Sequence, residues 1–104
     1  MSDAMEWAFD GEIIEWRGPA PYFFVAMSES DSAELKEEAR SLIYWGQVPV
    51  HVQIGDTEFR TALFPKAGRY LVPLKDAVRT AEGITEGDVV AVVLRPARQR
   101  DVDR

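Results

Sequence analysis

Basic side chains that could bind an anion are concentrated in the second half of the chain, at Arg60, Lys66, Arg69, Lys75 and Arg79. Between Gly55 and Thr80 these five bases outnumber three acids, a net charge of +2. Up to Glu38 the chain instead has ten acids against two bases, a net of −8. Because guanidinium and ammonium groups bind carboxylates and phosphates, the five residues predict a shallow site for a small anionic ligand. The alternative is an ordinary solvated surface.

The side chains that metal binding or catalysis would need do not occur in a suitable pattern. His51 is the only histidine, and the chain has no cysteine. A metal needs several such ligands, so His51 is predicted to lie on the surface. No serine stands in a Gly-x-Ser-x-Gly turn. Glu12 and Glu15, three residues apart, would point to opposite faces of a strand. We therefore expect a protein that is not an enzyme and has no cofactor.

A further charged pair, Arg79 and Asp88, has two interpretations. The first is an ion pair that joins a helical turn to the last strand, and the second is a contact to an anion. The nearby Gly83 and Gly87 do not form a phosphate loop, because no Lys-Ser or Lys-Thr follows them.

The formal charge of −6 and the pI of about 4.7 argue against a general nucleic-acid binder, because basic residues supply most of the affinity for phosphate. The longest apolar run, Val89 to Leu94, is six residues, whereas a membrane helix needs about twenty. The lack of cysteine fits the cytoplasm. The chain of 104 residues is long enough for one domain, predicted over 1–95, with a polar, disordered tail over 96–104.

The hydrophobic periodicity predicts short strands. Val48 to Ile54 alternates with polar residues, and Gly55 with Asp56 supplies a hairpin turn. In the first strand, Met5 to Arg17, the apolar phase shifts at Ile13 and Ile14, so we predict a bulge or sharp bend that carries the strand from one sheet into another. Further strands are expected over 22–27, 58–64, 69–72 and 89–94. The aromatic residues are predicted to lie mostly in the core, and any exposed ones would mark an interface.

Two helical segments are expected between these strands. One covers about 31–45, with Asp31 and Glu34 as a capping box and Gly46 as its stop. The other covers about 74–81, is opened by Pro73 and ends near Gly83. Its Leu74, Ala77 and Val78 are expected to face inward, and its Lys75 and Arg79 to share an outward face. Together, these strands and helices predict an all-β fold, a small antiparallel barrel of about six strands with one longer helix and one short helical turn.

The segment VPLKDAVRTAEGITEGDVVAVVL, with Pro73, Arg79, Gly83, Gly87 and Asp88, resembles the strand, helical turn and strand of AbrB-like double-split barrels. The wider run over about 7–95, with Phe59, Arg60, Pro65, Gly68 and Tyr70, resembles the bacterial family DUF1905, a domain of unknown function. This resemblance implies a small barrel. The AbrB likeness would imply an intertwined DNA-binding dimer, but the acidic N-terminal third argues for a likeness of fold alone.

Three functions follow as hypotheses. The leading one is a non-enzymatic binding or assembly module that acts through its surface toward a protein partner. The second is a small-molecule or anion-binding domain that uses the basic residues. The third is a nucleic-acid-binding dimer, against which the charge argues. We expect a monomer or homodimer that does not associate with membranes.

Overall fold

A computed structural model describes residues 6–19, 22–43 and 46–97. Six antiparallel strands form a closed barrel in the order β1-β2-β5-β4-β3-β6. The predicted all-β barrel is therefore confirmed. The elements in chain order are β1 (Trp7–Trp16), β2 (Tyr22–Ala26), α1 (Glu29–Glu38), a 3-10 turn (Arg40–Leu42), β3 (Val48–Ile54), β4 (Thr57–Lys66), β5 (Arg69–Leu74), α2 (Asp76–Glu82) and β6 (Val89–Pro96).

Strand β1 passes from one sheet to the other between Glu12 and Ile13, as predicted, but it does so without a bulge. It pairs with β6 as far as Glu12 and with β2 from Ile13 onward, in a continuous one-to-one register. Trp7 and Ile13 are buried on the inner face, while Ile14 and Trp16 are exposed on the outer face. The apolar phase shift was misleading because the later apolar residues lie outside the barrel.

A glycine allows β1 to lie close to β2 where it changes partner. Gly11 lies on the inner face, and a Cβ atom built there would overlap Cγ1 of Val25, which is fully buried. The space that a side chain would take is therefore filled by a neighbouring valine. Glycine in strands often marks such a close approach.

The core fills the barrel from end to end. Strand β3 behaves as its alternation predicts, with its four inward side chains buried and its Gly55 and Asp56 hairpin turn formed. Burying such side chains supplies the main favourable term in folding. The largest fully buried side chains are Ile13, Met27, Leu35, Leu63, Leu94, Val25, Val48, Val50, Val52, Val72 and Val92.

Helix α1 closes one end of the barrel but is shorter than predicted. It ends at Glu38, and the 3-10 turn follows; residues 44–45 of the predicted helix lie outside the described residues. Its N-cap is Ser28, whose Oγ accepts from the backbone N of Asp31 at 3.1 Å, so the predicted capping box is wrong. The Glu34 carboxylate instead accepts from Nε1 of Trp7 at 2.9 Å. The helix begins earlier than predicted, so Asp31 lies inside its first turn and cannot cap it.

Two further contacts join α1 to β5. Oγ of the buried Ser32 accepts from the backbone N of Tyr70 at 2.9 Å, and Nε of Arg69 donates to the carbonyl of Met27 at 2.6 Å. Burial raises the pKa of the Tyr70 hydroxyl above its usual value, because the phenolate would lose hydration.

Helix α2 begins later than predicted. Pro73 and Leu74 belong to β5, opposite Phe24 and Phe23 of β2. The ladder between β5 and β4 ends at Leu71, so a proline is tolerated at 73. Ala77, predicted to face inward, is exposed.

The rest of this helix agrees with the prediction. Val78 is buried, and Gly83 ends the helix in the left-handed conformation with φ 66°. The Glu82 side chain contacts the β3–β4 hairpin, where it accepts from the backbone N of Asp56 at 3.2 Å and from Oγ1 of Thr57.

The last strand extends past the predicted domain boundary at 95. Strand β6 ends at Pro96, and the buried Ala97 donates its backbone N–H to the carbonyl of Pro49 at 2.8 Å. The rest of the predicted 96–104 tail, residues 98–104, lies outside the described residues. Within the described ranges no helix is long and apolar enough to cross a membrane.

Candidate functional site

The outer wall formed by β1, β2, β5 and β4 carries large apolar side chains. Ile13 and Val25 are paired and fully buried, so strand alternation places their neighbours on the outside. There Ile14 pairs with Phe24, and Trp16 pairs with Tyr22. We name this set the aromatic face; it consists of Ile14, Trp16, Tyr22, Phe24 and Phe64.

The rings of the aromatic face form one cluster around Tyr22. Its ring centroid lies 5.4 Å from that of Trp16, 5.7 Å from that of Phe24 and 6.0 Å from that of Phe64. Strand β5 lies between the strands of Tyr22 and Phe64, so these two rings meet over it. Leu71 of β5 points outward beside Phe64, yet it is only 4% exposed. This low exposure is expected if the rings cover its side chain.

Trp16 is both accessible and held in place. Trp16 is 40% exposed and Ile14 is 42% exposed. The indole packs against Tyr22 on one side and covers Gly18 on the other, where any Cβ atom would overlap the ring. A large ring fixed before binding loses little conformational entropy on contact with a partner. The prediction that the aromatic residues are mostly core holds for Trp7 and Tyr70, which are buried, but not for Trp16.

Three of the five predicted basic residues flank the aromatic face. Lys66 and Arg69 face each other across β4 and β5, two residues beyond the pair of Phe64 and Leu71. Lys75 follows the last strand residue at the opposite end of β5. All three are exposed. We name Lys66, Arg69 and Lys75 the basic rim.

Arg79 does not join this rim. Its guanidinium lies 3.7 Å from the ring centroid of Phe23, and its side chain is 19% exposed and ion-paired with Asp76. Its buried Nε has no hydrogen-bond partner in the described part of the chain. The predicted pair with Asp88 is wrong, because Asp88 accepts from the backbone N of Thr85 at 2.9 Å. The prediction that Arg79 shares an outward face with Lys75 is also wrong. The Arg79 guanidinium instead stacks on the ring of Phe23, a favourable cation–π contact.

Arg60 lies in a different place, a hollow of about 290 Å³ on the outside of β4, β3 and β6. His51 stands opposite Arg60 in β4 and opposite Arg95 in β6. Nη1 of Arg60 is 3.5 Å from Nε2 of His51. The carboxylates of Glu6 and Glu58 also line the hollow. Two carboxylates and two guanidinium groups, those of Arg60 and Arg95, therefore line the same hollow.

These placements show what the sequence pattern missed. The predicted five-residue basic site is divided among a rim, a hollow and a ring contact. Arg95 and His51 were not recognised as neighbours of Arg60, because only strand pairing brings them together. Among the described residues no group of three His, Cys, Asp or Glu could hold a metal ion.

Comparison with known families gives one match over most of the chain. The family model described as "Domain of unknown function (DUF1905)" matches residues 9–94. No curated protein matches the sequence.

Proposed function

We propose that this chain, which belongs to the DUF1905 family, is a non-enzymatic module that binds a partner protein through the aromatic face. The observation that carries the proposal is Trp16, a large ring 40% exposed and held between Tyr22 and Gly18. Residues of this kind supply most of the binding energy at protein interfaces.

The closed barrel supports docking by side chains. Every strand has a neighbour on both sides, so the barrel offers no complete strand edge to which a partner could add a strand. Contact must then come from side chains on the outside of the wall. The aromatic face supplies Ile14, Trp16, Tyr22 and Phe24 on two adjacent strands.

The proposal is tested by photo-crosslinking from the wall itself. With benzoylphenylalanine at position 16, irradiation of cells of the source organism is expected to give an adduct with one protein, which mass spectrometry identifies. The purified partner is then titrated by calorimetry against wild type and Trp16→Ser. Because Trp16 would be an anchor, we expect Trp16→Ser to weaken binding at least about tenfold.

Gln53 provides the matched control. It is exposed on the outer side of β3, which is three strands away from β2 in either direction around the barrel. The photoreactive residue at 53 should give no adduct with that partner, and Gln53→Ser should bind it normally. Equal adducts from both positions, or none from position 16, would contradict the proposal.

A second candidate function is the binding of a small anion in the hollow. The observation in its favour is the alignment of Arg60, His51 and Arg95 across three adjacent strands. Arg95 is exposed, and among the described residues no hydrogen bond or ion pair engages it. A carboxylate or phosphate between these bases would form charge-assisted hydrogen bonds.

Thermal unfolding tests this second candidate. Citrate and inorganic phosphate at millimolar concentration are expected to raise Tm, since a ligand that binds only the folded state stabilises it. Arg95→Ala should abolish the increase, whereas Arg40→Ala, a change at an exposed arginine in the 3-10 turn, should retain it. The candidate is rejected if neither anion changes Tm, or if both variants respond alike.

We further propose that the module works in the bacterial cytoplasm as a monomer or homodimer with a double-split barrel topology. The cysteine-free composition and the resemblance of the Pro73 to Asp88 segment support these points.

A further inference from the structure

We infer that the partner segment bound by the aromatic face is an acidic one, with carboxylates spaced among apolar side chains. This inference rests on the proposed docking function and adds the chemistry of the partner. Its basis is the juxtaposition of the aromatic face with the basic rim of Lys66, Arg69 and Lys75.

The rim is placed at both ends of β5, so it borders the ring cluster on two sides. Lys66 and Arg69 lie toward α1, and Lys75 lies at the start of α2. The Nε bond to the Met27 carbonyl anchors Arg69, so its position is fixed before a partner arrives. Long basic side chains at the border of an apolar surface steer and orient an oppositely charged partner.

The carboxylates on the outside of this wall lie beyond the segments that carry the ring cluster: Glu12 of β1 is opposite Val89 of β6, and Glu58 of β4 is opposite Gln53 of β3. Along the paired segments 13–16 of β1, 22–26 of β2, 69–74 of β5 and 64–66 of β4, alternation places only apolar and basic side chains on the outside. The inward-phase Glu15 is ion-paired with Arg17. The wall is therefore locally basic, although the whole chain has a net charge of −6. Such a wall favours a partner segment that has acidic side chains and no basic ones.

The aromatic geometry favours an acidic peptide over a single-stranded nucleic acid. Nucleic-acid bases stack on open ring faces. Here the rings are tilted against one another at 34°, 41° and 63°, so each covers part of the next. The net charge of −6 would also repel a long polyanion.

A second copy of the chain fits the wall poorly. Its most acidic described element is α1, which carries Glu29, Asp31, Glu34, Glu37 and Glu38. The one large apolar residue of α1, Leu35, is fully buried. This helix therefore has no large apolar side chain to insert among the rings.

Fluorescence anisotropy with three labelled probes tests the inference. The first is a short synthetic peptide in which aspartates alternate with leucine and phenylalanine, the second has lysine in place of aspartate, and the third is a thymidine oligonucleotide. The acidic peptide is expected to bind most tightly. Its affinity should fall at least about tenfold in the Lys66→Glu, Lys75→Glu double variant and in Trp16→Ser.

Arg40→Glu is the matched control, because it reverses an exposed charge in the 3-10 turn, outside the aromatic face, the basic rim and the hollow. It should leave peptide affinity unchanged, and an unchanged Tm would show that each variant is folded. Equal binding of the lysine peptide, stronger binding of the oligonucleotide, or no effect of the double variant would overturn the acidic assignment. If crosslinking from position 16 still captures a partner, the docking function survives that result; a crosslinked homodimer would overturn the inference.

Discussion

Replacing Ile13 with alanine is expected to lower the free energy of unfolding by about 2–5 kcal/mol, whereas the same change at Ile14 should lower it by about 1 kcal/mol or less. Ile13 is fully buried inside the barrel, and Ile14 is 42% exposed on the outer wall. Truncation at 13 leaves a cavity in a packed core, but truncation at 14 removes only part of a surface contact. Urea denaturation of both variants measures the difference.

The two isoleucines are adjacent on one strand and identical in type, so each controls for the other. Their helix and strand propensities cancel in the comparison. Ile14→Ala should also weaken partner binding, because Ile14 belongs to the aromatic face. Similar losses of stability at both positions would contradict the assignment of Ile13 to the inner face and Ile14 to the outer face of β1.

Gly11→Ala is expected to lower the free energy of unfolding by about 1–3 kcal/mol. The new methyl group would overlap Cγ1 of Val25, and Val25 is fully buried on a paired strand. A β-branched side chain in such a position has no alternative rotamer that avoids the overlap at low cost. Chemical denaturation at constant pH measures the loss.

A double-mutant cycle separates this overlap from a general effect of glycine replacement. In Gly11→Ala, Val25→Ala the second change removes the overlapping atom, so the combined loss should be smaller than the sum of the single losses by at least about 0.5 kcal/mol. Additive losses would indicate that Gly11 is required for its backbone conformation and not for the space it leaves to Val25.

The aromatic face and the hollow predict opposite responses to two substitutions. Trp16→Ser should remove partner binding and leave any anion response intact, while Arg95 substitutions should do the reverse. The two surfaces lie on different outer segments of the barrel: the pairs of β1 with β2 carry the first, and the pairs of β3 with β4 and β6 carry the second. Their functions can therefore be tested separately.

Local patterns sufficed for much of the fold. The alternation of Val48 to Ile54, the Gly55 and Asp56 turn and the Gly83 helix end all occur as predicted, because each depends on neighbours within a few residues. Other local patterns were misleading. The Asp31 and Glu34 capping box did not form, because the helix begins earlier and Ser28 caps it. Pro73 continues a strand because it pairs with Phe24 of the distant β2.

By itself, the sequence determined the class of the fold, its turns and the uneven distribution of charge, because these depend on residue type and short spacing. Only the tertiary structure decided which surface each residue occupies. Closure of the barrel placed Ile14 and Trp16 outside, brought Tyr22 to Phe64 over β5, and divided the five basic residues among three places. The physical reason is that inward and outward alternate at every residue of a strand, so the identity of a site depends on register between segments far apart in the chain.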